Sequence, residues 1–275
     1  MKSVLVTGAN GYIGRHICEA LKENCNVTKL THQQIDLTDL KAVKEFFYGK
    51  HFDWVLHCAI IGGRYNETVE DNKEVLINNC CMFRSLVQCE NNFDNLISFG
   101  SGAELSRSNN YALSKRYIAN SILNIPHLYN IRLFGVFSAD ELDDRFIKAN
   151  LIRYIKKEPM IVHCDKYMDF IAVEDLMTIV ENYILNDDVL ILPKTLDAIY
   201  PNKCTLLDLC KSINFLDKYT VEIKVQSDKI ISDYVGEYND KFMKYCEVYK
   251  DIENIHYRIS RMHKKLKEQY GTESK

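Results

Sequence analysis

Short apolar runs alternate with longer amphipathic segments along the first half of the chain. The apolar runs are SVLV, NVTKL, DWVLHCA, NLISFG and LYNIRLF, and the segments between them, such as GRHICEALKEN and LKAVKEFF, have helical spacing. Buried strands separated by helices of roughly 10 to 20 residues are typical of crossover connections on a parallel sheet. The pattern therefore predicts an α/β fold with a Rossmann-like, doubly wound parallel sheet.

The alternation loosens after about residue 137, where a helical pattern near DDRFIKANLIRYIKK, a strand-like MIVHC and a further helix follow. We predict a dinucleotide-binding Rossmann domain over residues 1–158, to which residues 169–188 return. Residues 159–275 are predicted to form mainly a smaller, substrate-binding lobe and a C-terminal helix. Proline is scarce and no low-complexity linker separates these parts, which argues against domains that move independently.

The last forty residues contain a narrow apolar seam on a highly charged helical segment. Its positions recur at alternating steps of three and four: Ile252, Ile255, Ile259, Met262 and Leu266. Five positions are too few to indicate a coiled coil. We expect a terminal helix that lies against its own protein, with an oligomer contact as the alternative.

Composition limits the possible partners. The 275 residues carry a formal net charge of −3, and the basic residues are scattered rather than gathered in a stripe, which argues against a nucleic-acid partner. No run approaches the ~18 apolar residues of a membrane-spanning helix, and the chain begins with a strand and a glycine-rich turn rather than a signal peptide. We expect a cytoplasmic protein without membrane contact.

The ten cysteines are dispersed through apolar segments and include no CxxC pair. This spacing does not resemble a zinc site or a redox motif. We expect reduced thiols in the core or on the surface, and no bound metal.

The first strand is followed directly by TGANGYIG, with glycines at positions 8, 11 and 14 at the entry to a helix. Such glycines permit a tight turn and a close approach of the backbone to a pyrophosphate, and the helix N-terminus favours negative charge. A purely structural turn is the alternative, but the strand-glycine-helix order favours dinucleotide binding. The predicted cofactor contacts in this turn are Gly8, Asn10, Gly11, Tyr12, Ile13, Gly14 and Arg15.

The end of the second strand is where NAD and NADP are distinguished, because an acid there pairs with the ribose 2′-hydroxyl and repels a 2′-phosphate. Here the strand ends in the stretch KLTH, without an acid. Arg15, just past the last glycine, is positioned to reach a 2′-phosphate, although it is equally well explained as a solvated helix residue. We favour NADP, with NAD as the alternative. Asp36 is expected to cap a helix or to contact the adenine.

Further motifs follow in a fixed order. They are IDLTD, HCAIIGG after a strand, LISFGSG at the end of another, YALSK on the next helix, IRLFGVF and MDFIAVEDL. In this order, over about residues 3–190, the chain resembles the extended short-chain dehydrogenase/reductase superfamily and its NAD-dependent epimerase/dehydratase family. The GG of HCAIIGG is similar to that of GDP-fucose synthase and related nucleotide-sugar reductases.

The resemblance implies catalytic roles for three residues. Tyr111 would protonate a substrate carbonyl, Ser101 would donate a hydrogen bond to the same oxygen, and Lys115 would hold the nicotinamide ribose. A tyrosine with an ordinary pKa of about 10 is a poor acid-base catalyst at neutral pH, so it needs a neighbouring positive charge. Lys115 lies one helical turn from Tyr111 and supplies it. Asn79 matches the asparagine that orders a water near the lysine in many relatives.

The resemblance also implies further binding residues. Besides the glycine turn and Asn79, Tyr111 and Lys115, the cofactor set comprises Asp36, Leu37, Cys58 and Ala59. The substrate set comprises Gly63, Arg64, Gly102, Ala103, Arg145 and Lys166. Relatives commonly form homodimers through the helices that carry Asn79 and Tyr111, so a homodimer is expected.

The chain departs from the family pattern at several positions. Ser101 and Tyr111 are only ten residues apart, which predicts a more open site. Gly135 replaces the usual asparagine in IRLFGVF, and Met168 replaces the usual phosphate-binding arginine before DFI. Lys166 or Arg145 is expected to substitute for the lost charge.

The departures also separate the possible reactions. The acid and base of a 4,6-dehydratase are absent from Ser101-Gly102-Ala103, and Ala103 and about Arg145 stand where GDP-fucose synthase has its epimerising cysteine and histidine. An alternative acid-base pair, an exposed loop Glu104 with His163, carries little weight.

These comparisons favour an NAD(P)-dependent oxidoreductase that reduces a nucleotide-linked 4-keto-6-deoxy sugar without epimerisation. A nucleotide-sugar 4-epimerase with tightly bound NAD would use the same residues and is the alternative. A non-catalytic NADP-binding sensor or scaffold is the second alternative, although Ser101, Tyr111 and Lys115 are all intact.

Overall fold

The computed structural model describes residues 1–63, 72–186, 192–229, 232–245 and 255–271. Two residues singled out from the sequence, Arg64 and Ile252, lie outside these ranges.

Within the described ranges, ten strands form three sheets. In chain order they are β1 Lys2–Thr7, β2 Cys25–Leu30, β3 Phe52–His57, β4 Phe93–Ser101, β5 Leu128–Leu133, β6 Val136–Phe137, β7 Met160–Cys164, β8 Ile171–Ala172, β9 Thr195–Ala198 and β10 Ile223–Ser227. The central sheet has the order β2-β1-β3-β4-β5-β9, and β1 to β5 pair in parallel. The predicted Rossmann-like α/β fold is confirmed.

The described helices connect these strands. They are α1 Tyr12–Leu21, α2 Leu40–Phe47, α3 Lys73–Val87, α4 Ala103–Ser106, α5 Asn110–Leu123, α6 Phe146–Ile155, α7 Val173–Leu185, α8 Leu206–Ile213, α9 Asp240–Tyr245 and α10 Ile255–Tyr270, with a 3₁₀ turn at Glu90–Asn92. Helix α3 packs on α5, and α5 packs on β4 and β5. The two helices that carry Asn79 and Tyr111 are therefore neighbours.

The strand order indicates at which end of the sheet a ligand would bind. From β1 the chain moves outward to β2 and then returns across β1 to β3, so the direction of progression reverses between β1 and β3. Ligands of open α/β sheets bind beyond the carboxyl ends of the strands at such a reversal. The glycine turn follows β1 and the HCAIIGG segment follows β3, so both lie at this edge.

The strands are buried because helices cover both faces of the sheet, as the continuous apolar runs predicted. Leu5, Val55 and Leu96 from three adjacent strands share one core cluster with Phe47 and Phe83 from the covering helices. Burial of each large side chain contributes about 1.5–3 kcal/mol. This core holds the carboxyl ends of β1, β3 and β4 at one edge.

The chain divides into two compact units at bounds that differ from the predicted ones. The first unit comprises Met1–Leu133 and Met177–Asp197, and the second comprises Phe134–Leu176 and Ala198–Lys275. Residues 134–158 fall in the second unit because β6 pairs with β8 and α6 packs against β7 and α10. A substrate-binding role for the second unit stays a prediction.

Helix α10 lies against its own unit, as predicted. The seam residues Ile255, Ile259, Met262 and Leu266 are buried, and the helix packs against α6 and α8. Arg258 on this helix forms an ion pair with the buried Asp175. Across the described ranges no helix has the length and apolarity to cross a lipid bilayer.

Candidate active site

The glycine turn after β1 brings two backbone segments into direct contact. Gly8 has a φ of +62°, and a Cβ there would lie 2.7 Å from the backbone nitrogen of Ala59 in the segment after β3. A Cβ on Gly14 would lie 2.4 Å from the Gly8 carbonyl oxygen, so helix α1 packs directly on the turn. Both positions therefore require glycine for close approach.

The start of helix α1 faces this turn without a polar side chain. Gly11 is the N-cap residue, and among the residues that the structure describes, no side chain caps this helix and no acid lies in its first turn. Asn10 is exposed, and Tyr12 and Ile13 are partly exposed. A helix N-terminus of this kind favours an anion such as a pyrophosphate.

The end of β2 carries no acidic group. Thr31 donates from its backbone nitrogen and its hydroxyl to Gln34 Oε1, at 2.8 and 3.0 Å. His32 is exposed, and so is Arg15, whose guanidinium lies 5.4 Å from the centre of the Tyr12 ring. The cationic Arg15 thus lies next to the glycine turn.

Asp36 and Leu37 are engaged by the protein itself. Asp36 Oδ1 accepts hydrogen bonds from the backbone nitrogen and hydroxyl of Thr38, which lower the pKa of this carboxyl. Helix α2 is capped by Asp39, so Asp36 caps the turn before it. Leu37 is buried in the core cluster. Adenine contacts for both stay predictions.

Beyond β3, buried polar groups lie beneath the glycine turn. His57 Nδ1 and Thr7 Oγ1, from the last residues of β3 and β1, are 3.0 Å apart and buried. Burial lowers the pKa of His57 to about 3, with a smaller effect from the positive charge of Lys115. Burial also raises the pKa of the adjacent Cys58 thiol, which keeps it protonated.

The neutral His57 makes stability depend on pH. The folded chain binds this proton only near pH 3, whereas the unfolded chain binds it below about 6.5. Between those values each unit of acidification lowers the free energy of unfolding by about 1.4 kcal/mol. We would measure the free energy of unfolding by urea titration between pH 7 and pH 4. We expect its dependence on pH to become weaker in His57→Asn and to stay unchanged in the control His32→Asn, which changes an exposed residue. Equal slopes in all three proteins would contradict the assignment.

Tyr111 and Lys115 lie on one buried turn of helix α5. Asn109 caps the helix by accepting from the backbone nitrogen of Ala112. Lys115 Nζ donates to the Phe99 carbonyl at 2.5 Å and lies 5.9 Å from the centre of the Tyr111 ring. Burial lowers the pKa of Lys115 to about 8, although the negative charge of Glu104 opposes this shift. The ammonium is therefore close to Tyr111 and titrates near neutrality.

The diglycine of HCAIIGG lies against the Tyr111 ring. A Cβ on Gly62 would come 2.9 Å from Tyr111 Cδ2, and one on Gly63 would come 3.0 Å from the hydroxyl oxygen. The φ angles of the two glycines are +92° and +83°, values that other residues rarely adopt. The backbone therefore reaches the tyrosine where a side chain would block it.

Asn79 holds this diglycine segment. Its amide is completely buried, accepts from the backbone nitrogen of Ile61 at 2.9 Å and donates to the Ile61 carbonyl at 3.0 Å. It also lies within hydrogen-bond distance of Ser114 Oγ, at 3.2 Å. Asn79 thereby links α3, α5 and the segment over Tyr111. The role in ordering a water stays a prediction.

Ser101 ends β4 at the same edge of the sheet. Its Oγ accepts from the backbone nitrogen of Ala103 at 3.2 Å, and its own backbone nitrogen donates to Glu104 Oε1 at 2.9 Å. Gly102 donates to the Leu133 carbonyl at 2.8 Å and Ala103 is buried. The serine is thus fixed by the short helix α4 that follows it.

The expectation of an exposed Glu104 is wrong. Only 6% of this residue is exposed, because α4 folds the side chain over Gly100 towards β5. Its Oε2 accepts from Asn130 at 3.3 Å and from Arg132 Nε at 3.2 Å, and Arg132 also pairs with Asp197 at 3.1 Å. Sequence reasoning missed this cluster, although charged residues inside the apolar strands β5 and β9 indicate partners.

The remaining substrate candidates lie in the second unit. Arg145 is the N-cap residue of helix α6, and its Nε is 3.7 Å from Glu141. Lys166 is exposed, with its Nζ 5.8 Å from the centre of the Tyr234 ring. Both cations therefore contact a residue of their own unit. Their role as phosphate ligands stays a prediction.

Packing explains two of the positions at which the chain departs from the family pattern, Gly135 and Met168. A Cβ on Gly135 would lie 2.5 Å from the Phe170 ring, so no larger residue fits there without a shift. Met168 packs against the buried cluster of Phe134 and Tyr234. Aromatic packing thus occupies the positions where relatives carry polar side chains.

Comparison with known proteins identifies a family whose model matches most of the chain. The model of the NAD dependent epimerase/dehydratase family matches residues 4–189, about two thirds of the chain. No curated protein matches it.

Solved structures cover nearly the whole chain at low identity. UDP-glucuronic acid 4-epimerase from Bacillus cereus, in complex with UDP-glucuronic acid and NAD, is 16% identical with a TM-score of 0.77, over 98% of this chain and 100% of that one. GDP-mannoheptose C4 reductase from Campylobacter jejuni, with NADP bound, is 15% identical with a TM-score of 0.76, over 97% and 98%. GDP-L-fucose synthetase from Naegleria fowleri, bound to NADP, is 14% identical with a TM-score of 0.72, over 98% and 94%.

Proposed function

The chain belongs to the NAD-dependent epimerase/dehydratase family, and from that membership we propose that it is an NADP-dependent reductase of a nucleotide-linked 4-keto-6-deoxy sugar. The observation that carries the proposal is the buried pair of Tyr111 and Lys115 beside the end of β4. A phenol next to a buried ammonium is suited to donate a proton, because the positive charge stabilises the phenolate that remains.

The glycine turn supports the cofactor assignment. Glycine at positions 8 and 14 lets the backbone of the turn pack closely, because a Cβ at either would collide with backbone atoms, and the start of α1 offers amide groups without a side-chain cap. Gly11, Tyr12 and Ile13 would hold the pyrophosphate, and Lys115 would hold the nicotinamide ribose. When bound, the reduced nicotinamide supplies the hydride that a ketone carbon accepts.

The reaction needs one proton as well as the hydride. Tyr111 donates this proton to the ketone oxygen, so that an alcohol forms and the cofactor leaves oxidised. Ser101 orients the same oxygen by a hydrogen bond, and Lys115 stabilises the phenolate until solvent returns the proton.

The charges near the glycine turn favour NADP over NAD. No acid lies at the end of β2, and Arg15 is an exposed cation one residue beyond Gly14. A guanidinium pairs well with the 2′-phosphate that distinguishes NADP from NAD. NAD is the alternative, since structurally similar proteins include both NAD-bound and NADP-bound enzymes.

The direct test is the loss of NADPH absorbance with purified protein and a panel of nucleotide-linked 4-keto-6-deoxy sugars. We expect oxidation of NADPH to accompany a gain of two hydrogens in one sugar, and slower turnover with NADH. The lack of cysteine and histidine counterparts at Ala103 and Arg145 predicts retained stereochemistry at the neighbouring carbons.

The alternative is a nucleotide-sugar 4-epimerase, because the same tyrosine and lysine serve oxidation followed by reduction of one carbon. That reading predicts NAD that co-purifies with the protein and inversion of a 4-hydroxyl without net consumption of cofactor. A non-catalytic NADP-binding sensor would bind NADPH and change no sugar in either assay.

A homodimer is the proposed assembly. Ile77 on α3 and Leu113 and Tyr117 on α5 are apolar side chains exposed on two neighbouring helices. Burial of this surface in a symmetric interface would remove it from water. We expect light scattering to give twice the mass of one chain, and Ile77→Lys combined with Tyr117→Lys to halve it. A wild-type monomer at micromolar concentration would contradict the dimer.

A further inference from the structure

We infer that Glu104 is a positioning residue of the active site. It belongs to a buried network of Asp197, Arg132 and Glu104, through which it fixes the Ser101 backbone. It also supplies the negative charge that offsets the cost of burying the Lys115 ammonium. The inference rests on the proposed function for its catalytic meaning.

Glu104 and Lys115 hold neighbouring peptide groups of one strand. Lys115 Nζ donates to the Phe99 carbonyl, and Glu104 Oε1 accepts from the Ser101 backbone nitrogen. In an extended strand the carbonyl of one residue and the N–H two residues later point to the same side. The ammonium and the carboxylate therefore face the same side of β4, on either side of Gly100.

Gly100 makes this approach possible. A Cβ there would lie 2.3 Å from Glu104 Oε1 and 2.4 Å from Asn130 Oδ1. The absence of a side chain at this one position leaves the space in which the carboxylate lies. Any larger residue would push Glu104 away from the strand end and from Ser101.

The bonding pattern shows which form of Glu104 the site holds. One carboxyl oxygen accepts from Ser101 N, and the other accepts from Arg132 Nε and Asn130 Nδ2. All three donors are N–H groups, so both oxygens act as acceptors and these bonds favour the ionised form, whereas burial raises the pKa of this carboxyl above its ordinary value. Arg132 is shared with Asp197, so the chain contains one cation between two acids.

The charge of Glu104 opposes the effect of burial on Lys115. Burial penalises the ammonium, and the negative charge of Glu104 is the largest effect in the other direction. Among the residues that the structure describes, the other groups that act on Lys115 are His57 at the end of β3, Cys58 directly after it, and Tyr111 on the same helix as Lys115. Burial keeps Cys58 and His57 neutral near pH 7, so Glu104 is the acid that balances the charge.

The test measures the titration of Lys115 in the full chain without any sugar, by NMR of labelled lysine side chains assigned with Lys115→Met. Glu104→Gln keeps a hydrogen-bond acceptor for Ser101 and removes the charge, so we expect the Lys115 pKa to fall by at least about half a unit. Asp197→Asn is the matched control, because it also breaks an ion pair of Arg132 but leaves Glu104 charged. It should leave the Lys115 pKa within a few tenths of wild type.

An unchanged Lys115 pKa in a folded Glu104→Gln protein would overturn the inference, and so would an equal shift in both variants. This titration needs no substrate, so a failed reductase assay would not contradict the inference about Glu104. With a sugar that the protein reduces, the alkaline limb of the profile of kcat against pH should move to lower pH in Glu104→Gln but not in Asp197→Asn. Glu104→Asp keeps a carboxylate, so it should bring this limb part of the way back towards the wild-type position.

Discussion

Replacement of Tyr111 by phenylalanine is expected to lower turnover by about 10²- to 10⁴-fold, the usual contribution of a positioned proton donor. The variant removes a single hydroxyl from a ring that lies against Gly62 and Gly63, so the packing of helix α5 should persist. We expect kcat to fall while the Kd for NADPH, measured by fluorescence titration, changes less than about twofold.

The control is Tyr48→Phe. Tyr48 directly follows helix α2 and is 88% exposed, so the loss of its hydroxyl should leave kcat unchanged. A Tyr111→Phe protein with full turnover would eliminate the proposed acid whatever the sugar. A fall in NADPH affinity equal to the fall in kcat would instead indicate that the hydroxyl serves cofactor binding.

Replacement of Gly8 by alanine should damage both stability and cofactor binding. The new Cβ would lie 2.7 to 2.9 Å from backbone atoms of Cys58 and Ala59, and the φ of +62° is unfavourable for alanine. We expect the free energy of unfolding to fall by about 2–4 kcal/mol, from strain at φ and from overpacking. Displacement of the turn should raise the Kd for NADPH at least about tenfold.

Gly49 provides a matched control for the backbone strain. Its φ is +68°, close to that of Gly8, but nothing lies within 4 Å of a Cβ built there. Gly49→Ala should therefore cost only about 1–2 kcal/mol, the strain of a left-handed alanine, and leave NADPH binding unchanged. If both variants lose the same stability and affinity, the contact between the two segments would not matter for the site.

The parts of the site that the sequence predicted are those encoded by local patterns. The glycine turn after β1 and the one-turn spacing of Tyr111 and Lys115 each lie within a few residues, so periodicity and motif order suffice to place them. The strand-terminal position of Ser101 likewise follows from the apolar run that precedes it. The α/β fold followed from the alternation itself.

The parts that could not be predicted depend on contacts between distant segments. The approach of Gly62 and Gly63 to Tyr111 joins residues about fifty positions apart, and only the folded sheet brings them together. Glu104 was expected in an exposed loop because a four-residue helix has too little periodicity to show which face is buried.

The bounds of the two compact units differ from those of the predicted domains for a related reason. β6 and β8 are only two residues long, and their pairing assigns residues 134–158 to the second unit. Strands of that length leave no alternating pattern in the sequence. The apolar run IVHC at β7 is readable, but its pairing with β10 joins segments more than fifty residues apart.

The central claim is a hydride transfer to a nucleotide-linked sugar at the Tyr111 site. The most direct test is incubation of the protein with a 4-keto-6-deoxy nucleotide sugar and NADPH that carries deuterium at the transferred position, followed by mass and NMR analysis of the sugar. The account predicts one deuterium on the carbon that bore the ketone, and at least about a hundredfold less labelled sugar with Tyr111→Phe at matched times. A sugar converted without deuterium, or unlabelled inversion of a 4-hydroxyl sugar, would contradict the reductase and leave the epimerase.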